Sequence, residues 1–168
     1  MPTPITKVSG STFIQLDGTN FTTIGVDNSY KVGNGSLGAY AGLGMTFDGK
    51  PTSGIFDVKG SMSYGDNPFS GGFRVRSNIG ENSQSVQFRV QPCTINIPLG
   101  NNTKAYATPY AASKVNCNTG EVTNNIGCFA GLLYDFGDGN IFVEVQGYDL
   151  TKINKNTTSV NVGFSIKI

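Results

Sequence analysis

The chain has no histidine and no tryptophan among its 168 residues, and only 14% of its residues are charged. The absence of histidine excludes the Ser-His-Asp and Cys-His catalytic arrangements, the usual general base and the commonest metal ligand. A soluble domain normally has a charged share of roughly 25%, so something other than charge is expected to cover much of this surface. The sequence therefore predicts no enzyme, no metal site and no cofactor.

Long apolar runs and blocks of one charge are absent as well. No stretch approaches the ~20 apolar residues of a membrane-spanning helix. Twelve basic residues balance eleven acidic ones, without the basic cluster that a nucleic-acid partner requires, so nucleic acid is not an expected ligand. The first residues have neither the basic nor the apolar region of a secretory leader, which indicates that a leader was removed or was never used.

Cysteine is scarce, and the chain contains an odd number of cysteine residues. The three residues Cys93, Cys117 and Cys128 cannot all pair within one chain. Cys117 falls in a predicted loop and Cys128 at the start of the next predicted strand, so a disulfide between these two is a candidate in an oxidising compartment. The alternative is three free thiols, with Cys93 and Cys128 as small buried apolar residues.

What the sequence does contain favours strands and turns. Glycine occurs 23 times, and asparagine and threonine recur throughout. In the closing segment SVNVGFSIKI every second residue from Val160 to Ile168 is apolar, as in a strand whose two faces meet different surroundings. No linker divides the chain, so residues 1–168 are predicted to form a single domain. Turn clusters separate ten predicted strands of an antiparallel meander: 11–17, 21–27, 36–47, 54–64, 71–78, 85–99, 103–115, 125–136, 140–151 and 158–168.

The polar faces of several predicted strands carry charged groups of both signs near the strand centres. In a β-sandwich, the alternative all-β fold, these groups would lie in water. In a small barrel they point inward and must pair, because the confined interior cannot solvate them all. We therefore expect ion pairs in the barrel interior among six candidates: Asp57, Lys59, Arg74, Arg76, Arg89 and Glu144. Asp135 is a further candidate acidic partner.

Four stretches carry a family resemblance: LGAYAGLGMTF (37–47), KAYATPYAASKV (104–115), CFAGLLYDFGDGNIFVEVQGYDLT (128–151) and the final VNVGFSIKI. Together they resemble the small outer-membrane β-barrels of the OmpA/OmpX type. The resemblance implies an antiparallel up-and-down β-barrel of 8–10 strands, membrane lipid as the partner and a location in the bacterial outer membrane. The chain departs from the family pattern because it ends on Ile168 instead of phenylalanine and lacks tryptophan. Enzymes built on such barrels rely on histidine, so the resemblance does not extend to their activities.

Two classes of function follow. The first is a non-enzymatic outer-membrane barrel with a structural, adhesive or narrow-pore role. The second is a soluble β-rich structural or assembly protein, such as a virion decoration or tail component, whose partners are neighbouring proteins. Turn lengths favour the first class. The tightest predicted turns would lie at the same end of the barrel as the C-terminus, as periplasmic turns do in the resembling family. These turns are 33–35, 65–68, 99–102 and 137–139.

Overall fold

β-Strands make up most of the chain. The computed structural model describes residues 3–18, 20–46, 50–63, 69–81, 83–154 and 157–168. None of these residues belongs to a helix long and apolar enough to cross a membrane. The strands are β1 (Ile5–Gln15), β2 (Asn20–Val32), β3 (Gly35–Met45), β4 (Pro51–Ser63), β5 (Phe69–Gly80), β6 (Gln84–Pro98), β7 (Thr103–Asn116), β8 (Val122–Asp135), β9 (Gly139–Gly147) and β10 (Thr158–Lys167).

The strands close into a barrel in which every strand pairs antiparallel with its neighbours. β10 pairs with β9 on one side and with β1 on the other, where the register runs from Lys7 opposite Lys167 to Gln15 opposite Ser159. Both edges of β10 are therefore occupied, and no backbone edge is left open. The predicted up-and-down barrel is confirmed with ten strands, and the alternative β-sandwich is wrong.

The barrel buries polar side chains and exposes apolar ones. Among the buried side chains of the described residues, Asp57 is 1% exposed, Thr108 1% and Ser159 0%. On the opposite parity, Phe56 and Phe88 are 50% and 48% exposed. Soluble domains show the reverse distribution. The strand period of two thus separates a polar lumen from an apolar outer surface.

A bulge in β6 changes which parity faces outward. The register between β6 and β7 shifts between Val90 and Ile95. Pro92 lies within this stretch, and a proline inside a sheet is tolerated at bulges because it has no N–H to donate to the ladder. Before the bulge Phe88 is exposed, and after it Ile97 is exposed. The outer surface therefore stays apolar although the residue parity changes.

The two ends of the barrel differ in their connections. We call the end that holds both chain termini the turn end; its connections span residues 33–34, 64–68, 99–102 and 136–138. The opposite end, the loop end, includes the longest connection, residues 148–157. Gly33 and Gly137 have φ values of 57° and 94°, which glycine adopts at little cost in tight turns. The predicted turn at 65–68 and the ends of two predicted strands, residues 47 and 64, lie outside the described residues.

Candidate functional site in the barrel lumen

The most buried charge in the lumen is the carboxylate of Asp57, on β4. Arg76 lies directly opposite on β5, and its Nε and Nη2 donate to Oδ1 and Oδ2 of Asp57 at 2.8 and 2.9 Å. Arg74, two residues away on the same face, donates from Nε to Oδ2 at 2.9 Å and also from Nη2. Two guanidinium groups thus surround one carboxylate, an arrangement in which loss of the carboxylate would leave both cations unpaired.

A second ion pair joins strands that are not adjacent. Lys59 of β4 donates to Oδ2 of Asp27 on β2, and β3 lies between these two strands. Gly38 of β3 is the register partner of Lys59, and a Cβ at Gly38 would lie 3.5 Å from the Lys59 side chain. The lysine side chain therefore crosses β3 over Gly38, at van der Waals distance from that position. Together with the Asp57 cluster, this pair ties β2, β4 and β5 to one another.

Glu144 of β9 has polar partners on both sides. The Tyr106 hydroxyl donates to Oε2 at 2.9 Å, and the Asn161 Nδ2 donates to Oε1 at 3.2 Å. Asp135, the other predicted acidic partner, lies at the end of β8 and accepts the Gly137 amide at 2.8 Å in the adjacent turn. The structure therefore brings Asp57, Arg74 and Arg76 together, whereas Glu144 and Asp135 bind other groups.

Arg89 of β6 has a different environment. Its guanidinium lies over the Tyr110 ring, with Cζ 4.2 Å from the ring centroid. Tyr110 is 2% exposed, and its hydroxyl accepts a hydrogen bond from Gln146 Nε2 at 2.8 Å. Arg89 is 9% exposed, and its Nε has no hydrogen-bond partner. Within the described part of the chain Arg89 forms no ion pair with a carboxylate.

Glycines make room for the aromatic rings of the lumen. Gly127 lies opposite Tyr110, and a Cβ at Gly127 would be 2.3 Å from that ring. Gly163 lies opposite Phe142, and a Cβ there would be 2.4 Å from the Phe142 ring. Each ring therefore lies flat across the neighbouring strand. Tyr106, Tyr110, Gln146 and Asn161 were not among the predicted site residues; the signal that could have found the two tyrosines is their spacing relative to glycines on the next strand.

Two cavities occupy the lumen. The larger has a volume of about 780 Å³ and includes loop-end residues such as Asn116 and Tyr148. The smaller, of about 230 Å³, includes Asp27 and Lys59. Four residues line both cavities: Ser11, Arg74, Arg76 and Phe142. The two cavities therefore meet at the level of Arg74, Arg76 and the Phe142 ring.

The buried carboxylates of the lumen are engaged by other side chains of the barrel. The chain has no histidine, and the described residues contain no group of three or more side chains that could hold a metal ion. The buried carboxylates of Asp57 and Glu144 already accept hydrogen bonds from two residues each. These contacts orient both carboxylates, and the two arginines also neutralise Asp57, so the arrangement is suited to holding strands together and to presenting polar groups to a ligand.

The candidate disulfide is not formed, and all three cysteines are free. Val115 of β7 lies opposite Val122 of β8, so Cys117 lies beyond the paired part of this hairpin, whereas Cys128 lies opposite Pro109. Cys117 and Cys128 are thus separated by about eight positions along the strands, on the order of 25 Å. A disulfide requires Cα atoms closer than about 7 Å. The sequence interpretation placed Cys128 at the start of β8, but that strand begins at Val122.

The outer surface of the barrel carries no charged side chain on the outward parity of its described strands. Basic and acidic residues lie in the lumen or at the two ends. Most outward positions are aliphatic, aromatic or small, with exposures of 50% at Leu43, Val143 and Val145, and the outward polar residues, such as Asn28 and Asn124, are uncharged. Toward the turn end, four aromatic side chains are 45–47% exposed: Tyr30, Phe69, Tyr134 and Phe136. An uncharged belt with exposed aromatic residues toward one end shares features with the membrane-facing surface of a barrel, which has aromatic girdles at both ends.

Comparison with solved structures finds other barrels. The chain is similar to a de novo designed transmembrane β-barrel, with 14% identity and a TM-score of 0.44 over 98% of this chain and 95% of that chain. It is similar to the outer-membrane expressed OmpT of Vibrio cholerae, with 14% identity and a TM-score of 0.43 over 89% of this chain and 57% of that chain. The trimer form of in-vitro folded OmpT, an outer membrane protein of Vibrio cholerae, gives 14% identity and a TM-score of 0.41, with 95% of this chain and 64% of that chain covered. The chain therefore spans less than two thirds of either OmpT chain. No protein-family model and no curated protein matches.

Proposed function

We propose that this protein is a non-enzymatic β-barrel of the bacterial outer membrane, with a structural role and a narrow lumen. The observation that carries the proposal is the absence of charge from the outward parity of the described strands. Because a basic side chain facing the middle of a bilayer costs about 2–4 kcal/mol, a lipid-facing surface excludes charge. A water-facing surface has no such constraint and normally carries charge.

The closed strand order supports lipid embedding as well. In hydrocarbon every backbone N–H and C=O must be paired within the protein, and a closed barrel achieves this with strands. β1 and β10, the first and last strands, are joined by nine register pairs. In the proposed orientation the turn end, which holds both termini, faces the periplasm, and the loop end, which carries the longest connection, faces outward.

The lumen supports a structural role over that of a wide pore. The Asp57 cluster and Phe142 lie where the two cavities meet. Paired charges at this level link β4 to β5 and place large side chains in the lumen. We expect single-channel recordings in planar bilayers to show no wide-pore conductance. The proposal does not include an adhesive role, because the connections at the loop end are short, the longest being residues 148–157.

The soluble assembly protein is the less favoured alternative. It would leave large apolar side chains such as Ile79, Ile126 and Leu132, which are 60%, 58% and 52% exposed, in contact with water unless partner proteins covered the whole circumference. One interface on such a protein would cover a single patch. The apolar belt follows every strand, which is the geometry of lipid contact.

The test places a charge on the belt. Val162, on β10, is 46% exposed and faces outward. In lipid vesicles, Val162→Arg should lower the free energy of unfolding by about 2–4 kcal/mol. Thr119→Arg, in the exposed connection between β7 and β8, is the matched control and should change it by less than about 0.5 kcal/mol.

Spin labels at Phe88 and Val162 provide a second measurement on the same surface. Accessibility to oxygen, which concentrates in lipid, together with exclusion of a water-soluble relaxation agent would support the proposal. Labels shielded from both reagents, or a wild-type protein that stays folded and monodisperse without detergent or lipid, would favour the soluble assembly protein instead.

A further inference from the structure

We propose that the larger lumen cavity is a binding site for a small oxyanion, a carboxylate or a phosphate, with Arg89 as its principal ligand. The cavity has a volume of about 780 Å³ and is lined by Arg89 together with other polar side chains of the loop-end half. Pockets of roughly 300–1,000 Å³ are the usual size for small-molecule sites. The inference depends on the closed barrel and not on its lipid surroundings.

Of the three arginines that line this cavity, Arg89 is the one without an ion pair among the described residues. Asp57 binds Arg74 and Arg76, and Asp27 binds Lys59. Glu144, the remaining carboxylate that lines this cavity, is held by hydrogen bonds from a tyrosine and an asparagine. A buried cation without an anionic partner is costly, and an anion that enters the cavity relieves this cost.

Arg89 also presents free hydrogen-bonding capacity. The side chain is 9% exposed, and its Nε has no partner. The Tyr110 ring, 4.2 Å from the guanidinium, fixes one face of that group. The planar edge of a guanidinium matches two oxygens of a carboxylate or phosphate in a fork geometry. The Tyr110 ring therefore holds Arg89 in place, and the buried Nε of the guanidinium keeps an unsatisfied donor.

Neighbouring side chains complete a polar site of net positive character. Gln87 and Gln91 flank Arg89 on the inward face of β6, and Gln146 lies across the same cavity. Their amides can donate to further oxygens of a bound molecule. Lys114 lines the cavity near the loop end and adds a positive charge on the route of entry, which attracts an anion.

The experiment follows the Nε–H resonance of Arg89 by NMR in the folded barrel in detergent micelles. Inorganic phosphate and succinate are titrated separately at constant ionic strength. Comparison of the two titrations distinguishes a phosphate site from a carboxylate site. The proposal expects a saturable shift with at least one probe and a loss of affinity of about tenfold or more in Arg89→Gln, which removes charge-assisted hydrogen bonds. Lys114→Gln is the control for general electrostatics and should weaken binding by less than about threefold.

Arg89→Lys is the second variant and is measured if Arg89→Gln does not fold. It retains the charge but removes the planar fork, so binding should weaken and persist. Absence of a saturable shift with both probes would overturn the proposal, as would equal affinities in wild type and in either Arg89 variant. The absence of a shift and the equal affinities can each be observed whether or not the protein lies in lipid. The binding test is therefore independent of the test of membrane embedding.

Discussion

Asp57 on β4 lies directly opposite Arg76 on β5, and the Arg76 Nε donates to the Asp57 Oδ1 at 2.8 Å. The same register places Lys59 opposite Arg74. Three cations thus lie next to one buried carboxylate, and Lys59 is satisfied by reaching Asp27 on β2. The Asp57 side chain consequently determines whether this part of the lumen is electrostatically balanced.

Removing this carboxylate should destabilise the barrel strongly. Asp57→Asn leaves the part-buried Arg74 and Arg76 without an anionic partner, and we expect the free energy of unfolding to fall by about 3 kcal/mol, the lower end of the range for breaking a buried pair. Asp138→Asn, in the exposed turn between β8 and β9, is the control and should change it by less than about 0.5 kcal/mol. Urea unfolding in vesicles, followed by circular dichroism, measures both values. Equal stabilities of the two variants would show that the Asp57 cluster contributes little.

The glycine opposite Tyr110 should tolerate no added methyl group. A Cβ at Gly127 would lie 2.3 Å from the Tyr110 ring, so Gly127→Ala must displace the ring and the hydrogen bond from Gln146 with it. We expect a loss of about 1–3 kcal/mol in the free energy of unfolding, as for overpacking of a protein core. Gly100→Ala is the matched control, because nothing lies within 4 Å of a Cβ there. A double variant, Gly127→Ala with Tyr110→Ala, should lose less than the two single changes added together; additive losses would contradict the contact.

The sequence predicted the strands well because alternation and turn residues are local signals. Alternation weakens in ITKVSGS at the chain start, where small polar residues face both sides, and β1 accordingly begins at Ile5 and not at residue 11. Asp149 and Thr151 were assigned to a strand at 140–151, but β9 ends at Gly147. There the Asp149 carboxylate accepts the Thr151 amide, a local turn that competes with strand extension.

Side-chain partners in the lumen were less predictable than strands. Pairing of Asp57 with Arg76 follows from adjacent strands, but the partners of Glu144 depend on side-chain reach across the closed barrel. Tyr106 is 38 residues away in sequence and two strands away in the barrel. No local pattern encodes such a contact, because it is set by the register of every strand between the two residues.

The connection between β9 and β10 should respond to acid. The Thr151 hydroxyl and amide donate to Asp149 Oδ1 at 2.5 and 2.9 Å, and these hydrogen bonds hold the pKa of the Asp149 carboxyl below its ordinary value. Because the pKa is lowered in the folded state, the stabilising effect is present above the ordinary aspartate range and is lost as pH falls through the lowered value. Amide hydrogen exchange at Thr151 should therefore become faster, relative to its intrinsic rate, as the pH falls below that range. Asp149→Asn should abolish this dependence; an unchanged pH profile in that variant would contradict the assignment.

The last strand should be indispensable for closure. Phe164 lies opposite Gly10 of β1 and Ile141 of β9, so a deletion of residues 164–168 removes pairing on both sides of β10 at the turn end. The freed backbone groups of β1 and β9 would face hydrocarbon, where each unpaired group costs several kcal/mol. We expect the truncated chain to aggregate and to fail to fold in vesicles. Deletion of Ile168 alone is the control, because this residue lies outside β10 and is 76% exposed, and it should leave folding intact. Circular dichroism in vesicles and sedimentation without detergent distinguish the two outcomes. If the truncated chain stays folded and soluble without detergent, the apolar face of SVNVGFSIKI packs against protein and not against lipid.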